Sequence, residues 1–146
     1  MAGAMRRSPP LPLSSARLRV LVVDDEPHIA RSMQRVLRDI DVELAETGRD
    51  AIARALAEPF DVIFCDLMMP EVSGIDVYEA LRQRAPGLET RLVFMTGGAF
   101  TARARAFLAR VPNPQLEKPF DIQSVKDLVD EVATRHGLAR TSLSTT

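Results

Sequence analysis

Three apolar runs in this chain each stop at a residue able to do chemistry. Val20-Leu21-Val22-Val23 runs into Asp24-Asp25-Glu26, Val62-Ile63-Phe64-Cys65 into Asp66, and Leu92-Val93-Phe94-Met95 into Thr96. A shorter segment, Gln115-Leu116-Glu117, ends in Lys118-Pro119. If these are strands of one parallel sheet, their C-terminal ends share an edge, where open α/β sheets bind ligands. Asp24, Asp25 and Asp66 would then meet a hydroxyl and an amine in one crevice. Carboxylates that close repel, and one should have a raised pKa unless a cation sits among them. Mg2+ or Mn2+ suits the group, because a hard cation accepts carboxylate oxygens and keeps waters. One carboxylate is left to attack phosphorus, with the cation and the Lys118 ammonium neutralising the charge that develops on the phosphoryl oxygens. Thr96 can hydrogen-bond a phosphoryl oxygen, and Gly97 leaves room for the donor to approach. Without a cation, Asp66→Asn or Asp24→Asn is expected to raise the melting temperature by relieving repulsion.

The elements that must position these residues alternate. Short β-branched runs are followed by helical periodicities, which argues for βα units around a parallel sheet. Ile29, Met33, Val36 and Leu37 recur on one helical face after Pro27, a residue suited to a first helical turn. A strand around Val42–Ala45 leads through Thr47-Gly48 into a helix carrying Ile52, Ala55 and Leu56, which Pro59 ends. The run Val62–Cys65 is continuously apolar, as in a strand buried on both faces. Ser73 can cap the next helix, with Gly74, Val77, Tyr78 and Leu81 inward, and Pro86-Gly87 closes it. Phe100, Ala104, Phe107 and Leu108 mark a fourth helix. Asp121 can cap a fifth, with the stripe Ile122, Val125, Leu128, Val129 and Val132. The order reads β-α five times.

Composition narrows the class. The 146 residues suit one domain, and 46% hydrophobic with 27% charged residues is an ordinary globular balance. A net charge of -1 gives no basic patch for direct nucleic-acid binding. No stretch approaches the ~20 apolar residues of a membrane span, and no apolar segment after Arg6-Arg7 reads as a signal peptide. The single Cys65 excludes an intrachain disulfide and fits a reducing, cytoplasmic setting. Residues 1–16, rich in Pro and Ser, are expected to be a flexible leader or linker, residues 17–136 the domain, and residues 137–146 a flexible tail.

Each candidate has a plainer explanation when taken singly. A lone Asp-Asp after a strand is a turn or cap, a lone Thr or Lys faces solvent, and Lys-Pro is a turn. Four such sites, each ending a separate strand, outweigh those readings together. Other residues stay structural: His28 and His136 as surface or cap groups, Cys65 as a small buried hydrophobe, Met68-Met69 as packing or backbone contributors. Arg103, Arg105 and Arg110 read as a solvated face.

These segments resemble the receiver domain of two-component response regulators, of the chemotaxis-regulator type. The resemblance rests on Val20–Glu26, Phe64-Cys65-Asp66-Leu67-Met68-Met69-Pro70, Phe94-Met95-Thr96-Gly97-Gly98 and Glu117-Lys118-Pro119-Phe120, and spans roughly Arg17 to Arg135. It implies a flavodoxin-like (βα)5 fold, a doubly wound five-stranded parallel sheet in the order 2-1-3-4-5. It implies that Asp66 is the phospho-acceptor, with Asp24, Asp25, Asp66 and the Met68 backbone carbonyl around Mg2+ (or Mn2+). Thr96 and Lys118 match the switch hydroxyl and the phosphate-pairing lysine, and the Lys118-Pro119 bond is expected to be cis. The partners implied are a histidine kinase or phosphotransfer domain and a downstream protein or adjacent domain. A homodimer through the fourth helix, fifth strand and fifth helix is allowed. Many receivers carry Tyr or Phe three residues before the lysine; here that residue is Gln115, so the usual aromatic coupling is not expected.

The expected function is therefore phospho-acceptance in two-component signalling rather than enzymatic turnover, apart from self-catalysed phosphotransfer and dephosphorylation. The ten residues after His136 hold no effector domain, and the run Pro112–Phe120 resembles C-terminal receivers of hybrid sensor kinases. The alternatives weighed are a phosphorylation-independent pseudo-receiver, supported only by Gln115, and a phosphatase-like hydrolase. The hydrolase would need a second aspartate where Met68 stands.

Overall fold

The computed structural model describes residues 17–98 and 101–137. Phe100 and the proposed leader and tail, Gly137 excepted, lie outside the described residues. The elements follow in the order β1 (Arg19–Val23), α1 (Pro27–Val36), β2 (Asp41–Ala45), α2 (Gly48–Ala57), β3 (Val62–Asp66), α3 (Gly74–Arg84), a 3₁₀ turn (Leu88–Arg91), β4 (Leu92–Thr96), α4 (Ala102–Arg110), β5 (Gln115–Glu117) and α5 (Ile122–Arg135). All strand pairs are parallel and the sheet runs β2-β1-β3-β4-β5. This is the flavodoxin-like order expected from the resemblance.

Side-chain alternation explains why β1, β3 and β4 read as unbroken apolar runs. Leu21, Val23, Ile63, Cys65, Leu92 and Phe94 point into a core shared with α2, α3 and α4. Val20, Val22, Val62, Phe64, Val93 and Met95 point into a second core under α1 and α5. A strand covered on both faces has no polar side. Tyr78, Phe94 and Phe107 join α3, β4 and α4 edge-on, with Tyr78 and Phe94 each within 5.3 Å of Phe107 by ring centroid. At the sheet's N-terminal edge Arg19 lies over the Phe60 ring at 4.5 Å and pairs with Glu43 and Glu58, while Arg54 pairs with Glu43.

The helix caps follow the sequence. Thr47, Ser73, Thr101 and Asp121 each accept a backbone N–H from the first turn of the helix they precede. Ser73 and Asp76 form a reciprocal capping box. One expectation needs correction. Ile122 does not join the α5 stripe: as the first helical residue after the Asp121 cap it is 52% exposed, and the buried stripe starts at Val125. On α2 the fully buried face is Gly48, Ala51 and Ala55, with Ile52 and Leu56 partly buried and packed against the same core. Pro86-Gly87 ends α3 as expected, but the chain then winds into the 3₁₀ turn. Asn113, between two prolines, anchors that turn by donating from Nδ2 to Glu89 O and Leu92 O, both at 2.9 Å. Among the described residues, no helix is long and apolar enough to cross a membrane.

Candidate functional site

The sheet delivers the chemically able residues to one edge. Asp24 extends the β1 ladder by one residue, its N–H donating to Ala45 O at 3.1 Å. That fixes its side chain inward, where it is fully buried, while Asp25 beside it is exposed. Asp66 ends β3 and is also buried. Asp24, Asp25 and Asp66 each bring a carboxylate oxygen within 4.8 Å of the other two. Lys118 follows β5, its N–H bound to Thr96 O at 2.7 Å, and its peptide bond to Pro119 is cis as expected. Its Nζ reaches Asp24 Oδ2 at 2.7 Å, Asp66 Oδ2 at 3.5 Å and Glu26 Oε1 at 3.9 Å. Thr96, the last residue of β4, is buried at the same edge.

The two buried acids are in different situations. Asp24 Oδ1 accepts the Glu26 N–H at 2.9 Å and Oδ2 accepts the Lys118 ammonium, so both oxygens are partnered. Asp66 Oδ1 accepts only a longer bond from the Met68 N–H, 3.2 Å. Burial pushes the Asp66 carboxyl above its ordinary range; Lys118 and the Met68 N–H oppose this, and the charges of Asp24 and Asp25 reinforce it. For Lys118, burial works against the charge, but the hydrogen bond to Asp24 and the charges of Asp66, Asp24 and Glu26 outweigh it, and the ammonium is held above its ordinary pKa. Asp24→Asn would therefore strip a partly buried cation of its nearest partner. The expectation that this change stabilises the protein is corrected; only Asp66→Asn retains it.

Three carboxylates facing one ammonium leave excess negative charge in a crevice built from oxygen donors. That donor set fits a hard divalent cation. The crevice opens as a hollow of about 610 Å³ beside Asp66 and Lys118, with Met68 and His28 on its rim. Of the pair expected to pack or to contribute only backbone, Met69 is buried and Met68 is 45% exposed. His28 is exposed on the first turn of α1 and nearer the site than a surface reading of the sequence suggested. An added Cβ at Gly97 would meet Lys118 Cδ at 3.6 Å, an ordinary contact, so nothing here requires glycine for access.

The residues set aside stay outside the chemistry. Cys65 is buried, and burial followed by the Asp66 and Asp24 charges pushes its thiol well up, leaving it un-ionised. His136 caps α5, with Nδ1 2.9 Å from Val132 O and Nε2 2.7 Å from Thr90 Oγ1. Arg103, Arg105 and Arg110 are exposed on α4, with Arg110 3.7 Å from Glu79. Gln115 is exposed at the start of the edge strand β5.

Comparison with known proteins agrees with this geometry. The profile of the response regulator receiver domain matches residues 20–130. The chain is 29% identical over 118 residues to the signal transduction histidine-protein kinase BarA of Escherichia coli K12, covering 80% of this chain but 13% of BarA. It is 36% identical over 123 residues to the transcriptional regulatory protein TcrX of Mycobacterium tuberculosis, covering 83% of this chain and 50% of TcrX. The chain thus spans half or less of these relatives. Among solved structures, the chemotaxis protein CheY4 of Vibrio cholerae superposes with a TM-score of 0.68 at 27% identity, covering 80% of this chain and 99% of CheY4. The receiver domain of the Francisella response regulator 1452 gives 0.69 at 26%, covering 82% and 99%. With the fold, the acidic crevice and a family profile covering most of the chain in agreement, this protein belongs to the response regulator receiver domain family, the phospho-acceptor domains of two-component signalling.

Proposed function

We propose that Asp66 accepts the phosphoryl group, from a phosphohistidine of a histidine kinase or phosphotransfer domain. The observation that carries this is the asymmetry between the buried acids. Asp24 is tied up by Lys118 at 2.7 Å and the Glu26 N–H, whereas Asp66 lines the hollow with only a longer bond from the Met68 N–H and Lys118 3.5 Å away, so its charge is less closely compensated. A carboxylate oxygen of Asp66 attacks phosphorus, the P–N bond breaks, and the imidazole nitrogen leaves with the electron pair. Asp24, Asp25, Asp66 and the Met68 backbone carbonyl would hold Mg2+ or Mn2+, which supplies charge neutralisation for the phosphoryl oxygens. Lys118 slides from Asp24 and Asp66 to pair with the transferred group, and the Thr96 hydroxyl donates to it. Water attack on the acyl phosphate, self-catalysed in the same crevice, resets the domain. The output passes to a downstream protein or an adjacent domain, through a surface whose two states differ in population when Asp66 is phosphorylated. A cytoplasmic setting, matching the one free cysteine, and the absence of direct nucleic-acid contact belong to the same proposal.

Intact-protein mass spectrometry after incubation with acetyl phosphate and Mg2+ tests it. One phosphoryl adduct is expected, absent in Asp66→Asn and absent when the metal is chelated. An adduct that persists in Asp66→Asn would assign the chemistry elsewhere.

A further inference from the structure

The two edges of the sheet are finished differently. β2 is one edge strand and β5 the other. Along a strand, the N–H and C=O of one residue point to the same side, and successive residues alternate. Asp41 N–H donates to Leu18 O, and Ala45 O accepts the Asp24 N–H, so Asp41, Glu43 and Ala45 turn their backbone groups toward β1. Val42 and Leu44 therefore turn theirs outward. An edge strand of five residues with outward N–H and C=O groups is a template for another strand.

Both outward carbonyls of β2 are already taken. Gln34, from α1, donates from Nε2 to Val42 O at 3.0 Å. Arg54, from α2, donates from Nη1 to Leu44 O at 2.9 Å. The two helices cover opposite faces of the sheet, so the side chains close over the edge from both sides. Arg54 is itself held by Glu43 and by Glu58, 3.4 Å from its Nε. The β5 edge is guarded in another way. The bonds from Phe94 N–H to Pro114 O and from Lys118 N–H to Thr96 O leave Gln115 and Glu117 facing out. That strand has three residues, with Pro114 before it, Pro119 shortly after it and a charge at Glu117. Shortness, proline and charge each discourage strand addition. The longer β2 contains no proline and relies on side chains.

We infer that Gln34 and Arg54 are caps that keep the β2 edge closed to a second copy of this chain. The strand they exclude is β2 of that copy, running antiparallel. In that two-fold pairing Val42 of each strand faces Leu44 of the other, and each pair exchanges two backbone hydrogen bonds. All of these bonds need Val42 O or Leu44 O as acceptor, the atoms that Gln34 and Arg54 occupy. Glu43 would lie opposite its own copy, with Arg19 still beside each carboxylate. The edge is thus self-complementary in its backbone, and only the caps stand between the two strands.

Sedimentation equilibrium of the full chain over a range of concentrations tests this. The proteins compared are wild type, Gln34→Ala/Arg54→Met, the same double variant with Leu44→Pro added, and Glu58→Gln. The double variant removes both caps, and methionine keeps the apolar length of the arginine stem. Leu44→Pro removes an outward N–H and leaves the bonds to β1 in place. Glu58→Gln weakens the ion pairing of Arg54 without touching the cap. The mass of the double variant is expected to rise with concentration toward about twice that of wild type. Adding Leu44→Pro is expected to abolish the rise, whereas association through unfolding would grow with a further destabilising change. Glu58→Gln is expected to follow wild type. Three results overturn the inference: a double variant whose mass follows wild type, association that survives Leu44→Pro, or association of Glu58→Gln as strong as that of the double variant, which would assign the effect to the lost ion pairs.

Discussion

Asp24 and Asp66 are the same residue type at equivalent strand ends, yet neutralising them should have opposite effects. Asp66 is buried near two other carboxylates, so its charged form is disfavoured in the folded protein. Its folded pKa lies above the unfolded one, so the native state binds the proton more tightly. Stability of the metal-free protein should therefore fall as pH rises from the ordinary carboxyl range through the raised Asp66 value. Thermal melts in EDTA across that range should show this slope in wild type and a flatter one in Asp66→Asn. At neutral pH the variant should melt higher by about 3 °C. Asp24→Asn should go the other way, losing about 2 kcal/mol in urea unfolding, because Lys118, partly buried, keeps its charge with only the more distant Asp66 and Glu26 carboxylates beside it. Lys118 itself, with a raised pKa, contributes stability below the ordinary lysine range that is lost only as pH rises through its folded value.

At the scale of elements, the junction of β3 with α3 couples stability to chemistry. Helix propensity alone would favour alanine over glycine at position 74 by about 1 kcal/mol. The structure reverses the sign, because the new methyl would push against the backbone of Asp66 and Leu67, atoms that cannot swing away. Gly74→Ala is expected to lose about 2 kcal/mol in urea unfolding and to slow uptake of the phosphoryl group from acetyl phosphate. Ser73→Ala, which breaks the capping box without intruding on Asp66, should lose about 1 kcal/mol and leave uptake nearly unchanged. Equal uptake in the two variants would show that the Gly74 contact with Asp66 does not matter to the chemistry.

Across the whole molecule, the strand order makes the site. β1 and β3 are neighbours although β2 intervenes in sequence, and the chain reverses its direction of travel between them. The crevice at such a reversal lies outside the strand ends, which is where Asp24, Asp25 and Asp66 converge. If these carboxylates share a cation, Mg2+ at ~10 times its Kd should stabilise the wild-type fold by about 1.4 kcal/mol. Asp66→Asn should respond less, and equal responses measured by thermal shift would remove the shared site.

Much of this was legible in the residues. The apolar runs name β1, β3 and β4 because burial on both faces leaves no polar alternation to read, and Thr47, Ser73 and Asp121 announce helix starts by local hydrogen bonding. The polar residues that follow each run mark the C-terminal edge of the sheet, where Asp24, Asp66 and Thr96 are still buried. Features that depend on contacts distant in sequence were not legible. Asp24 and Asp25 are adjacent and identical, and only the pairing of β1 with β2 and the approach of Lys118 decide that one is buried and partnered while the other is exposed. Ile122 fits the apolar period of α5 yet faces out, because a helix's first turn can overhang the core it belongs to. The positive φ of Glu71 carries no signal in residue type, since glutamate rarely adopts it. Local propensity and periodicity, which act within a few residues, determined the elements and the types of residue at their ends. Which carboxylate stays free, and how the loop beside it is held, was decided by long-range packing that brings together segments the chain itself keeps far apart.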